Sequence, residues 1–263
     1  MVTLACRFGN GHSMTVQPPF APVQSGLRVQ GLGKRYDGAA ALADFAMTVA
    51  KGEVVALMGP NGAGKSTLYR LLVGAERPEF GQITLDGIDL TRLPSHGRAR
   101  AGLRHLPQDP SAFRGLTVED NLRLAVQSQD PDRSAHTARL EALILDFGLA
   151  ALRSKRPAQL SGGQRRMCEI ARLMAGRPRV LLLDEPFSGL DPLAVQSLCN
   201  TIGDLRQQGL GVVITDHDVR SVQGLADRMI VLQSGRVLVQ GPTEAVLRDP
   251  AARGGWLGAD FRL

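Results

Sequence analysis

Gly59-Pro-Asn-Gly-Ala-Gly-Lys-Ser-Thr67 follows the apolar run Glu53-Val-Val-Ala-Leu-Met58 and leads into a helical run ending near Val73. A strand, a glycine-rich loop and a helix start match the phosphate-loop pattern G-x-x-x-x-G-K-[ST] in the order the pattern needs. Gly59, Gly62 and Gly64, with Pro60, Asn61 and Ala63 between them, let backbone N–H groups approach phosphate oxygens. The helix start around Thr67 adds positive potential. Lys65 reaches the β and γ oxygens and the Ser66 hydroxyl is placed to ligate Mg2+. Only four lysines stand beside 27 arginines, so a lysine here suits a site that needs a compact point charge.

Two further apolar runs, residues 179–185 and 211–217, are too uniformly apolar for one wet face and read as buried parallel strands. Each ends in acidic or polar residues, and open α/β sheets gather ligands at the carboxyl ends of their strands. Asp184 is therefore expected beside Mg2+, and Glu185 where it can polarise an attacking water. Short β-rich runs between 27 and 87, with a turn at Asp86-Gly87, predict a small strand layer. From about 109 to 177 the pattern turns helical, and Met167, Ile170, Ala171 and Met174 recur at helical spacing behind the cap-like Ser161.

Leu160-Ser-Gly-Gly-Gln164, about twenty residues before the carboxylate pair, resembles the signature of ABC ATPases. The phosphate loop, Gln108, Asp184-Glu-Pro186, Ser188-Gly-Leu-Asp191 and His217 stand in that family's order across residues 27–263. The resemblance implies an α/β P-loop NTPase with an antiparallel β layer, a mixed or parallel core sheet and an inserted helical subdomain over about 109–177. It also implies ATP and Mg2+ as ligands, and a head-to-tail homodimer. Ser161, Gly162, Gly163 and Gln164 lie too far along the chain to complete their own phosphate loop, so each ATP would be shared with a second copy. In this reading Gln108 touches Mg2+ and water, and His217 contacts the γ-phosphate and supports Glu185. Asp191 bridges to the partner's phosphate loop. The family often has alanine where Gly189 stands, a minor departure. Tyr36 resembles the aromatic that stacks on adenine, a surface tyrosine being the other reading.

Residues 105–122, 92–100, 209–220 and the tail Trp256–Leu263 resemble the ATPase subunits of lipopolysaccharide exporters. That resemblance implies two different membrane subunits as partners and a place on the cytoplasmic face of an inner membrane. Phe113, with Arg114 at its rim, is the expected coupling contact, core packing of Phe113 being the other reading. The alternatives are the ATPase of a branched-chain amino-acid importer, or a soluble ABC ATPase of DNA repair or translation. The latter generally carries a long insertion or two cassettes, whereas 51 residues separate Gln108 from Leu160 here.

Bulk properties set the outer limits. With 263 residues, 43% of them hydrophobic, the chain can bury a substantial core. No run approaches the roughly 18 apolar residues of a spanning helix. The net charge of +6 is spread without a basic run, so no nucleic-acid partner is expected. Cys6, Cys168 and Cys199 lack metal-ligand spacing, and their odd count fits a reducing cytosol. Residues 1–26 lack an apolar secretory core and read as an extension.

Overall fold

The computed structural model describes residues 25–129 and 133–257. Residues 1–24 of the expected 1–26 extension and the last residues of the tail, 258–263, lie outside them, and Gly26 already belongs to the first strand.

Alternating burial divides the β-rich N-terminal third between two sheets. Strands β1 (Gly26–Tyr36), β2 (Ala39–Ala50), β4 (Phe80–Leu85) and β5 (Ile88–Asp89) form an antiparallel layer in the order β2-β1-β4-β5. Strand β3 (Val54–Met58) leaves that layer. It joins β6 (Leu103–Leu106), β7 (Val180–Asp184), β8 (Gly211–Thr215), β9 (Arg228–Gln233) and β10 (Arg236–Pro242) in a six-stranded sheet ordered β10-β9-β3-β8-β7-β6. All neighbours in it pair in parallel except β10, which is antiparallel to β9. Between β4 and β5, Asp86 and Gly87 both take positive φ, 47° and 81°, as a two-residue hairpin turn of the mirror-image type requires.

The central strands are apolar throughout because both faces are covered. Val54, Ala56 and Met58 point into one core and Val55 and Leu57 into the other, and β7, β8 and β9 divide in the same way. The antiparallel layer closes one face, with α1 (Lys65–Val73) packed in that core. Helices α3 (Val118–Gln129), α4 (His136–Asp146), α5 (Gly162–Met174), α6 (Pro192–Gln207), α7 (Val219–Gln223) and α8 (Thr243–Arg248) contribute to the opposite core. On α5 the buried face centres on Cys168, Ile170 and Ala171, while Met167 and Met174 pack half-buried at its margins.

A short helix, Ser95–Ala101 (α2 in chain order), supplies a side chain that pattern reading did not single out. Arg98 is 1% exposed. It donates to the carbonyls of Leu71, Leu72 (2.8 Å), Thr91 (3.0 Å) and Leu93 (2.9 Å). The first two belong to the last turn of α1, whose carbonyls have no partner within the helix. Burial pushes the guanidinium pKa down to about 10, leaving it charged at neutral pH.

Candidate functional site

Strand β3 ends at Met58, and its loop turns back over the sheet before α1 begins. Gly59 takes φ 139°, and a Cβ there would stand 2.1 Å from the Leu232 carbonyl oxygen, so only glycine fits. Helix α1 begins at Lys65, leaving the exposed Ser66 and the buried Thr67 in its first turn. The Lys65 ammonium reaches back across the loop, donating to Gly59 O (2.5 Å) and Pro60 O (3.0 Å). Burial lowers its pKa, and the Glu185 and Asp184 carboxylates oppose that shift. Lys65 is thus electrostatically coupled to the acids at the end of β7.

Those acids are held by the neighbouring strand. Asp184 pairs with Thr215 across β7 and β8, and the Thr215 hydroxyl donates to Asp184 Oδ1 at 2.6 Å. Glu185 turns out of the strand with φ 46°, a left-handed conformation that costs a non-glycine residue about 1–3 kcal/mol. Its N–H donates to Thr215 O at 2.8 Å. The turn places the carboxylate between two exposed side chains. Gln108 Nε2 donates to Oε2 at 2.7 Å, and His217 Nε2 lies 2.7 Å from Oε1. Three residues from three separate loops therefore meet on one carboxylate.

Ser66, Gln108 and Asp184 offer a hydroxyl, an amide carbonyl and one carboxylate, an all-oxygen set suited to a hard cation. Mg2+ holds several waters and phosphate oxygens and needs few protein ligands. Among the described residues no group of three or more His, Cys, Asp or Glu side chains could hold a metal.

The Leu160–Gln164 segment opens α5. Ser161 caps the helix by accepting from Gln164 N (3.2 Å), and the Gln164 side chain accepts from Ser161 N (3.1 Å). This reciprocal box satisfies two donors at the helix start. A Cβ on Gly163 would lie 2.7 Å from the Ala194 Cβ, so that glycine also allows α5 to pack against α6. Asp191 caps α6 through Ala194 N at 2.9 Å. Among the described residues no hydrogen bond or ion pair joins Ser161–Gln164 to the 59–67 loop of the same chain.

The same helix grips the loop that carries Gln108. Arg166 donates to Pro107 O (3.2 Å) and Gln108 O (3.4 Å). Glu169 accepts from Ser111 N (2.6 Å) and Ala112 N (3.2 Å), and Arg172 donates to Ser111 O (2.6 Å). Buried Asn121 fixes the Phe113 backbone at both N (2.9 Å) and O (3.1 Å). The Phe113 ring stays 48% exposed, with the Arg172 guanidinium 4.7 Å from its centroid. Phe113 is accordingly a presented ring and not a core residue; Arg114 beside it is exposed too. Tyr36 lies at the rim, 37% exposed, its hydroxyl donating to Glu76 with Lys34 and Arg70 beside the ring.

Sequence reading did not single out Thr215, Asp216, Arg166 or Glu169. Buried Asp216 accepts from three backbone N–H groups, those of Phe187, His217 and Asp218. Its place next to His217 was the available signal, but an acid in a loop usually reads as solvated.

Residues 42–188 match the family model described as ABC transporter. The chain is 44% identical over 237 residues to the lipopolysaccharide export system ATP-binding protein LptB of Acidithiobacillus ferridurans, covering 90% of this chain and 98% of that protein. The Escherichia coli K12 protein of the same name is 42% identical over 239 residues, covering 90% and 99%. A probable ABC transporter ATP-binding protein of Azorhizobium caulinodans is 43% identical over 243 residues, covering 92% and 86%. Among solved structures, an ATP-binding subunit of an ABC transporter superposes with a TM-score of 0.75 at 31% identity, covering 89% of this chain and 96% of that one.

Proposed function

The chain belongs to the ABC transporter family, and on that premise we propose that it is the ATP-hydrolysing motor of a lipopolysaccharide exporter, paired as a homodimer beneath two membrane-spanning subunits. No helix among the described residues is long and apolar enough to cross a membrane, so the motor works through partners that do.

In this reading the backbone of Gly59–Gly64 and the start of α1 cradle the ATP phosphates, and Lys65 leaves its loop carbonyls for the β and γ oxygens. Tyr36 stacks on the adenine. Mg2+, when bound to Ser66, Gln108 and Asp184, supplies charge neutralisation on those phosphates. Glu185 orients the attacking water and accepts its proton. His217 holds that carboxylate and contacts the γ-phosphate, and Gln108 stands on its other side. Ser161, Gly162, Gly163 and Gln164 of the second copy close over the γ-phosphate, with Asp191 at the seam.

Phe113 and Arg114 are the contact with the membrane subunits. The loop that bears them begins at Gln108 and is bonded to α5, so motion of either α5 or Gln108 is carried to the presented ring. The motor would sit on the cytoplasmic face of the inner membrane. The observation that carries the cargo assignment is the 42–44% identity to LptB proteins along 90% of this chain. Neither the amino-acid importer nor the soluble ATPase gains support from these relatives.

The test is affinity purification of the tagged protein from detergent-solubilised membranes, with partners identified by mass spectrometry. Two distinct membrane subunits of the lipopolysaccharide-export type are expected. Amino-acid permease subunits, or no membrane partner, would overturn the assignment.

A further inference from the structure

We propose that Asp216 is a positioning residue that clamps the Glu185 loop to the His217 loop and thereby sets the rate of ATP hydrolysis; the proposal rests on the catalytic reading of Glu185 given above.

Backbone pairing between β7 and β8 stops at Asp184 and Thr215. The last backbone link across the two loops is Glu185 N to Thr215 O, at 2.8 Å. Beyond it the left-handed turn at Glu185 carries the chain away from β8, so no ladder remains to hold the two loops in register. Asp216 takes over that task with its side chain. Oδ2 accepts from Phe187 N at 3.1 Å, while Oδ1 accepts from His217 N at 2.8 Å and Asp218 N at 2.9 Å. One oxygen thus serves the loop two residues beyond Glu185, and the other serves the residue that bears the imidazole.

Burial makes these bonds consequential. Asp216 is 6% exposed and Phe187 4%, so a lost partner is not readily replaced by water, and an unsatisfied buried donor costs about 1–3 kcal/mol. The chemistry also demands a carboxylate. Three donors converge on two acceptor oxygens; an asparagine has one such oxygen, and its NH2 group would face an N–H on one side whichever way it is turned. Asp216→Asn therefore keeps the size and loses one half of the clamp. The contact that depends on the clamp is the 2.7 Å approach of His217 Nε2 to Glu185 Oε1, a distance that a small shift of either loop would open.

The effect should fall mainly on turnover, because Asp216 makes no hydrogen bond to residues 59–67, which in the reading above cradle the phosphates, and bears on ATP only through the γ-phosphate contact of His217. In steady-state assays on the intact homodimer, Asp216→Asn is expected to lower kcat about tenfold or more and leave ATP affinity within about twofold. A second measurement separates positioning from general weakening. In a His217→Ala background, Asp216→Asn should have little further effect, since the contact it aligns is already gone. Wild-type kcat in Asp216→Asn overturns the proposal. So does loss of ATP affinity in parallel with kcat, or a full multiplicative loss in the double variant. Absence of turnover in the wild-type protein would take down the catalytic reading as well, a result distinct from any of these.

Discussion

His217 Nε2 lies 2.7 Å from Oε1 of Glu185, and the other oxygen of that carboxylate accepts from Gln108 at 2.7 Å. A carboxylate held on both sides has little freedom to swing, which suits the base that we propose Glu185 to be. Glu185→Gln keeps the shape and removes the proton acceptor, so we expect kcat to fall about 1000-fold with ATP affinity retained. His217→Ala removes one of the two supports and should cost about 100-fold. Phosphate release and equilibrium nucleotide binding, measured side by side, check both; rapid turnover by Glu185→Gln would sink the assignment of the base.

Lys65 makes its two hydrogen bonds to carbonyls of its own loop. In the proposed reading this ammonium leaves those carbonyls for phosphate oxygens, so losing it would remove charge-assisted bonds of about 1.5–3 kcal/mol each. Lys65→Ala is expected to weaken ATP binding by about 100-fold, read by titration calorimetry. Lys65→Arg should restore little of it, because the planar guanidinium is a poor substitute for a compact charge in a loop this tight.

The structural setting of the motifs was readable because each stands at a strand end or helix start that the apolar pattern marks. Lys65 opens α1 directly after its glycines, and Asp184 and Glu185 end an apolar strand. Geometry between loops was not readable. Nothing in the spacing of Gln108, Glu185 and His217 reveals that they share one carboxylate, since that depends on the order of β6, β7 and β8 in the sheet. Arg98 escaped notice for a related reason. An arginine in a surface-like helix reads as solvated, and only the packing of that helix against the end of α1 turns it into a buried cap. The split of the N-terminal strands between two sheets was hidden as well, because β3 differs from its neighbours by having both faces covered, which composition alone signals weakly.

Gly163 sits where α5 meets α6, with the Ala194 Cβ only 2.7 Å from where its own Cβ would be. Gly163→Ala must push the start of α5 away from α6. Overpacking of this kind costs about 1–3 kcal/mol, so the urea midpoint should drop. The same displacement moves Ser161, and turnover should suffer beyond what stability accounts for. Turnover that falls only as far as the folded fraction does would argue that packing at Gly163 is irrelevant to catalysis.

Cys168 is fully buried on α5, and burial pushes its thiol pKa from 9.0 up to about 11. Its thiolate is then scarce at neutral pH, and the group is inert as a nucleophile. The linkage has a definite sign. Between pH 9 and 11 the unfolded chain releases this proton while the folded protein keeps it. Stability therefore declines as pH rises through that window, by on the order of 2–3 kcal/mol in all. Other groups titrate in the same range, so the comparison must be with Cys168→Ala, which loses some packing at every pH but lacks the thiol. Urea unfolding at pH 8 and pH 10.5 should show a larger loss in the wild-type protein than in the variant. A parallel loss in both would mean that the thiol is not held protonated by its surroundings.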